Sequence, residues 1–219
     1  MMFTEFFRKA DFVEIKRFDL KFLDVNCYLV NFKNNYFLID PGSEFKRIKE
    51  YILKNNIKID FILNTHGHYD HMGAVADLIR EFNMPFYIHE KEEDIIKNPQ
   101  KNLSSIFQSN ELSLKTYNLI KGNNVNDFLI PGIEIMNFPG HTPGSIIIKV
   151  ENSLFTGDIL FKGSIGRTDL PGGSNRDMDN SLKKIMTFDK KLKIFPGHGP
   201  ESTMEQELKN NYFLKALNS

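Results

Sequence analysis

Three imidazoles and one carboxylate fall within the seven residues Thr65–His71, a density that few functions other than metal binding require. In an extended segment His66 and His68 would point to the same side, so both can bind one ion. Asp70 and His71 are consecutive, so they serve one ion only if the chain turns there, and a helix predicted to begin just after them provides that turn. The spacing therefore favours a pair of ions, one on the His66 side and one on the Asp70 side.

The composition excludes several kinds of partner. The 219 residues carry 28 basic and 28 acidic side chains, so no net charge attracts nucleic acid or an anionic membrane. The apolar runs are far shorter than the ~20 residues that cross a bilayer, and the N-terminal residues show no secretion-signal pattern. The single cysteine, Cys27, fits a reducing compartment. We expect one domain over 1–219, located in the cytoplasm, that acts on a small molecule; the sequence leaves its oligomeric state open.

Short apolar runs alternate with amphipathic stretches, which is typical of an α/β fold. The polar span 90–101 is predicted to form exposed helix faces and loops without a functional role, and 98–126 to be a surface excursion near the active face. Helices are predicted over 44–54, 74–82, 181–188 and 203–213. Strands are predicted over 26–30, 36–39, 61–64, 86–88, 133–138, 146–150, 154–155 and 193–195.

Two similar loops each carry one histidine. Phe138–Ser145 and Phe195–Ser202 are identical at six of eight positions, and each follows a predicted strand. Pro and Gly turn the chain there, so His141 and His198 should lie at the C-terminal edges of strands, where α/β folds place their sites. Convergence on one loop solution and duplication of two halves explain the match equally well. The remaining histidine, His89, is predicted to be structural.

These motifs, in this order, resemble the metallo-β-lactamase superfamily. The resemblance extends from about Asn26 to Leu214 and implies an α/β fold, the four-layer αββα sandwich of two sheets with helices outside. The motifs that carry it are Thr-His-x-His-x-Asp-His at 65–71, Gly-His-Thr-Pro-Gly at 140–144, Thr-Gly-Asp at 156–158 and Pro-Gly-His-Gly-Pro at 196–200.

The resemblance also implies two divalent metal ions and assigns their ligands. Nitrogen and oxygen donors without a thiolate suit zinc, with iron or manganese as alternatives. The ions would lower the pKa of a bridging water toward ~7, and the resulting hydroxide, oriented by Asp70, would attack an electrophilic carbon. Asp40 would orient the ligand loops without binding metal. The implied ligands are His66, His68 and His141 for one ion, Asp70, His71 and His198 for the other, and Asp158 bridging both.

The segment Gly157–Ser174 is similar to short, bacterial glyoxalase II-like hydrolases, which implies cleavage of a thioester of the S-2-hydroxyacylglutathione type. Within it, Arg167 is a candidate to bind a substrate carboxylate, or else forms a structural ion pair with Asp169. Two other functions fit the same ligands. One is an iron-dependent persulfide dioxygenase of the same fold, and the other is a metal-binding protein without turnover.

Overall fold

Two six-stranded sheets form the centre of the protein in a computed structural model, which describes residues 13–107, 114 and 116–217. The first sheet contains, in spatial order, Glu14–Leu20 (β1), Val25–Phe32 (β2), Asn35–Ile39 (β3), Ile59–Leu63 (β4), Phe86–His89 (β5) and Asn118–Ile120 (β6). Strands β1 to β3 pair antiparallel, and β3 to β6 pair parallel.

The second sheet is antiparallel except for one parallel pair of strands. Its strands are Asn124–Val125 (β7), Ile133–Asn137 (β8), Ile146–Val150 (β9), Ser153–Gly157 (β10), Lys193–Pro196 (β13) and Ser202–Thr203 (β14). Strands β10 and β13 form the parallel pair. A separate hairpin contains Leu160–Phe161 (β11) and Ser164–Ile165 (β12).

Seven α-helices occur among the described residues, and none is long and apolar enough to cross a membrane. They are Phe45–Lys54 (α1), Tyr69–Met72 (α2), Val75–Phe82 (α3), Glu93–Ile96 (α4), Asn175–Ile185 (α5), Met204–Asn210 (α6) and Tyr212–Ala216 (α7). Two short 3-10 helices cover Glu90–Glu92 and Ser104–Phe107.

Alternation along the strands places neighbouring residues in different cores. In β2, Leu29 packs with α1 and α3, whereas Val30 lies in the core between the two sheets. In β9, Ile148 faces that same central core, and Ile147 packs on the other side with α5, α6 and α7. Three cores separate four layers, so the predicted αββα sandwich is confirmed.

The structure contains all eight predicted strands, but two of the predicted helices differ from the observed ones. Helix α5 begins at Asn175 rather than at 181, because Ser174 Oγ accepts a hydrogen bond from Asp177 N and caps it. The predicted helix over 203–213 is interrupted at Asn211, whose backbone is extended and whose side chain caps α7.

The prediction that 90–101 is exposed and without function is wrong in part. Glu92, Ile95 and Ile96 are buried, because these helical turns pack against the loops that follow β4 and β8. Glu92 is hydrogen-bonded to both loops. Of the predicted surface excursion over 98–126, residues 108–113 and 115 lie outside the described residues.

Candidate metal centre

All seven predicted ligands lie in segments that follow strands, five of them in loops and two in the short helix α2, and the two facing sheets bring those segments to one edge of the sandwich. Strand β4 of the first sheet supplies four of them, and three strands of the second sheet supply the others. They are His66, His68, Asp70 and His71 after β4, His141 after β8, Asp158 after β10 and His198 after β13.

The ligands converge in two separate groups of three and in a third group, His66, His71 and Asp158, that overlaps both. His66, His68 and His141, here called the first trio, place one ligand atom each within 4.8 Å of one another, and so do Asp70, His71 and His198, the second trio. Asp158 faces both trios. Its Oδ1 lies 3.4 Å from His71 Nε2, and its Oδ2 lies 3.6 Å from His141 Nε2 and 3.5 Å from His198 Nε2.

Hydrogen bonds fix which ring nitrogen of three histidines faces this cluster. His141 Nδ1 lies 2.8 Å from the carbonyl oxygen of Arg167, which can only accept, so Nδ1 carries the proton. His71 Nδ1 donates to a carboxylate oxygen of Asp40 at 3.0 Å. The Thr65 hydroxyl gives its one proton to Asp40, so His66 Nδ1, 3.1 Å away, must donate to it. In each ring Nε2 is directed at the cluster, as in metal-binding histidines.

Several polar atoms of the cluster lack a hydrogen-bond partner within the described part of the chain. They are His66 Nε2, His68 Nε2 and Asp158 Oδ1. Buried polar atoms are almost always paired, so unpaired ones require a ligand of some kind. Imidazole nitrogens and carboxylate oxygens are donors that zinc, iron and manganese accept. The residues present therefore fit divalent metal ions.

The charge environment differs between the two trios. Burial holds the pKa of His66 well below its ordinary value and lowers that of His68 to about 3, so both rings are neutral and keep a lone pair for an ion. Burial acts the same way on His71, but the carboxylates of Asp158, Asp70 and Asp40 outweigh it and raise the His71 pKa. The second trio thus favours positive charge, carried by a proton or by a metal ion.

A family model for the metallo-beta-lactamase superfamily matches residues 20–198, a span that includes all seven of these side chains. The chain belongs to this superfamily. The resemblance inferred from the motifs is therefore confirmed, and so is the fold that it implied.

Individual relatives within the metallo-beta-lactamase superfamily match nearly the whole chain. YqgX of Bacillus subtilis, a probable metallo-hydrolase, is 32% identical over 89% of this chain and 94% of its own. GloC of Haemophilus influenzae, a hydroxyacylglutathione hydrolase, is 33% identical over 87% of this chain and 93% of its own. The crystal structure of TTHA1623 in a di-iron-bound form has a TM-score of 0.83 and 29% identity, covering 90% of this chain and 99% of that one. These comparisons support a metallo-hydrolase of the superfamily.

The supporting carboxylate predicted from the superfamily, Asp40, lies directly behind the ligand loop and is buried. Its Oδ1 accepts a hydrogen bond from Thr65 N at 2.7 Å, and its Oδ2 accepts from Thr65 Oγ1 at 2.6 Å. The same Oδ2 lies 3.0 Å from His71 Nδ1. One carboxylate therefore orients the start of the loop and one ring of the second trio.

We expect Asp40→Asn to weaken the second trio's affinity for its ion by about 10- to 100-fold, the range seen when a group that supports a metal ligand is lost. An amide has one acceptor oxygen and cannot accept all three hydrogen bonds. Asp40 has a φ of 50°, which asparagine also tolerates, so backbone strain stays unchanged. Equilibrium metal titration of the stripped protein measures the effect. Asp60→Asn is the control, since Asp60 lies away from the cluster and accepts a hydrogen bond from Tyr36 N at 3.0 Å, and equal affinities in both variants would contradict the prediction.

Arg167, the candidate substrate-binding residue, lies on the rim of a cleft beside the ligands. Its guanidinium forms two 2.7 Å hydrogen bonds to the Asp169 carboxylate, the arrangement of the structural ion pair weighed against substrate binding. Its carbonyl group instead holds His141 in place. Much of the cleft wall is apolar and includes Leu23, Leu103, Ile106, Phe107, Phe161 and Leu170.

Sequence reasoning missed two residues that hold the ligand loops. Asn26, in β2, donates from Nδ2 to the carbonyl oxygens of Pro196 at 2.9 Å and Gly199 at 2.8 Å, and so clamps the loop that carries His198. Glu92 bonds to two other ligand loops. Neither residue belongs to a motif, and only the packing of distant segments shows what each does.

Proposed function

We propose that this protein is a dinuclear metal-dependent hydrolase that cleaves a thioester of the S-2-hydroxyacylglutathione type. The observation that carries the proposal is the pair of trios with Asp158 facing both. The 33% identity to GloC, a hydroxyacylglutathione hydrolase, supports the thioester as substrate. We further propose zinc as the metal, with iron or manganese as alternatives, and a small molecule as the partner.

Two divalent ions bound by these residues would acidify a water toward a pKa of ~7 and polarise the carbonyl oxygen of the substrate. The chain's own side chains supply orientation. Asp70 borders the cleft, and interactions with His71 and His198 lower its pKa although burial opposes this, so it is ionised. An ionised carboxylate there can accept a hydrogen bond from a water and direct its oxygen at the substrate.

The cleft beside the ligands suits the other parts of such a substrate. Phe161 lies edge-on to the His198 ring, with ring centres 5.9 Å apart, and forms part of the apolar wall. With a substrate bound, apolar side chains at this position would reduce the access of water to the reacting bond. A thiolate is a stable leaving group and needs no general acid, which agrees with a cleft whose one described Lys or Arg side chain, Arg167, is already paired with Asp169.

The purified protein is expected to contain two metal ions per chain and to hydrolyse S-lactoylglutathione, whose thioester absorbance falls on cleavage. Stripping the metals should abolish turnover, and adding zinc, iron or manganese should restore it. Parallel assays use a β-lactam, a lactone, and glutathione persulfide with oxygen uptake. His68→Ala is the inactive control, since His68 is a member of the first trio.

The same assays distinguish the alternatives. Two bound ions without thioester cleavage would refute the substrate assignment. One bound iron with oxygen uptake on glutathione persulfide would identify a persulfide dioxygenase instead. Bound metal without turnover of any of these compounds would favour a metal-binding protein.

A further inference from the structure

A buried carboxylate outside the proposed ligands lies between two of the ligand loops. Glu92 ends the 3-10 helix Glu90–Glu92, which follows β5, and its side chain is fully removed from solvent. Its Oε2 accepts a hydrogen bond from Gly67 N at 2.7 Å, and its Oε1 accepts one from Gly144 N at 2.6 Å. One side chain thus joins segments that lie 25 residues before it and 52 residues after it.

The two segments carry all three members of the first trio, and the first segment continues into α2, which holds Asp70 and His71 of the second trio. Gly67 stands between His66 and His68, and Gly144 lies in the loop that carries His141. The second trio has other supports, since Asp40 bonds to His71 and Asn26 clamps the loop of His198. A change at Glu92 should therefore alter the geometry of the first trio more than that of the second.

Both loops approach Glu92 so closely that a side chain at either glycine would force a neighbouring atom to move. A Cβ at Gly144 would lie 2.6 Å from Glu92 Oε1 and 2.9 Å from Glu92 N. A Cβ at Gly67 would lie 3.0 Å from Glu92 Oε2 and 2.9 Å from Ile96 Cγ2. Backbone and carboxylate are in direct contact on both sides, so a change at Glu92 is transmitted to the loops.

Burying the Glu92 carboxylate costs considerable free energy, and its hydrogen bonds offset part of that cost. Burial raises the pKa of Glu92 to about 7, while the Thr142 side chain and the amides of Gly67 and Gly144 act in the opposite direction. No basic side chain contributes to this balance. A buried carboxylate without a cation is stable only while its oxygens are bonded, so Glu92 depends on these two loops as much as they depend on it.

We propose that Glu92 is a positioning residue that fixes the separation of the two loops carrying the first trio, and thereby sets the metal affinity of that trio but not of the second. The inference rests on the proposed dinuclear centre. Glu92 touches neither metal nor substrate, so its effect should be seen in metal binding before any reaction is measured.

The test is Glu92→Gln, studied by metal titration of the stripped protein. Glutamine has the same shape but one acceptor oxygen, so its NH₂ group must face one of the two glycine amides. We expect the affinity of the first trio to fall by about 10- to 100-fold and that of the second trio to stay within about twofold of wild type. Cobalt is the probe, since its visible absorption distinguishes the sites, and His68→Ala marks the spectrum of the second trio alone.

Glu207→Gln is the matched control. Glu207 is also buried, and it accepts hydrogen bonds from Gly163 N at 2.8 Å, from Asn211 Nδ2 at 2.9 Å and from Ser202 Oγ, none of which belongs to either trio. This variant should melt at a lower temperature and bind both ions as wild type does. Gly67→Ala is a second test if Glu92→Gln does not fold, because its added methyl group displaces the same carboxylate and should weaken the same trio.

Wild-type affinity at both trios in folded Glu92→Gln, or equal losses at both, would overturn the proposal. A wild-type protein that binds fewer than two ions would overturn the dinuclear centre and this inference with it. Two ions without thioester cleavage would refute only the substrate, since the titration of Glu92→Gln is read without any substrate.

Discussion

Asp158→Ala is expected to lose both ions, with the affinity at each trio falling by more than about 100-fold, beyond the range for residues that only support a ligand. Asp158 Oδ1 faces His71 of the second trio, and Oδ2 faces His141 of the first. The charges of His71 and His198 hold its pKa well below the ordinary value although burial opposes this, so the carboxylate is ionised. Without it, the donors that remain are five imidazoles and the carboxylate of Asp70.

Metal content after dialysis against a weak chelator measures this loss, and turnover of S-lactoylglutathione should fall to background with it. Asp127→Ala is the control, because Asp127 lies outside the cluster, where it accepts a hydrogen bond from the backbone amide of Gly132 at 2.8 Å. If Asp158→Ala kept one ion at wild-type affinity, Asp158 would belong to a single trio, and the bridge would be misplaced.

The contrast between Asp158 and Glu92 shows which parts of the site could be predicted from the sequence. Ligands such as His66 and Asp158 lie in short motifs directly after apolar strands, so local pattern and strand order are enough to place them. Glu92 stands in a run of charged residues that looks solvated, and its burial depends on two loops from distant parts of the chain. The local sequence pattern does not predict a contact between segments so far apart in the chain.

The same distinction holds for the fold. Strands β2, β4 and β9 are buried on both faces over most of their length and consist mainly of apolar residues, so they were predictable. The edge strand β1 alternates exposed charged residues with apolar ones, and the sequence reading missed it. Strands β11, β12 and β14 have two residues each, which is too short for any periodicity to be seen. These strands form because neighbouring strands pair with them, and not because their residues have a high intrinsic β propensity.

Gly42→Ala is expected to disrupt the second trio and to destabilise the protein. A Cβ at this position would lie 1.4 Å from the carbonyl oxygen of Asp70 and 3.3 Å from the Cα of His71, so the backbone that carries both ligands must move. Overpacking costs about 1–3 kcal/mol, occasionally more, which would lower the melting temperature by up to roughly 10 °C in a chain of this size. The second trio should lose at least about tenfold in affinity, as when a ligand's support is removed.

Thermal melting and cobalt titration of the stripped protein measure both effects. Gly163→Ala is the matched control, because Gly163 has a φ of +72° and a Cβ there would meet no atom within 4 Å. That variant should lose about 1 kcal/mol through backbone strain alone and bind both ions normally. Wild-type metal affinity at the second trio in Gly42→Ala would contradict the prediction. It would mean that the backbone of Asp70 can move without weakening metal binding. Each variant adds one methyl group, so the difference in their metal affinities isolates the contact between Gly42 and the ligand loop from the general cost of replacing glycine.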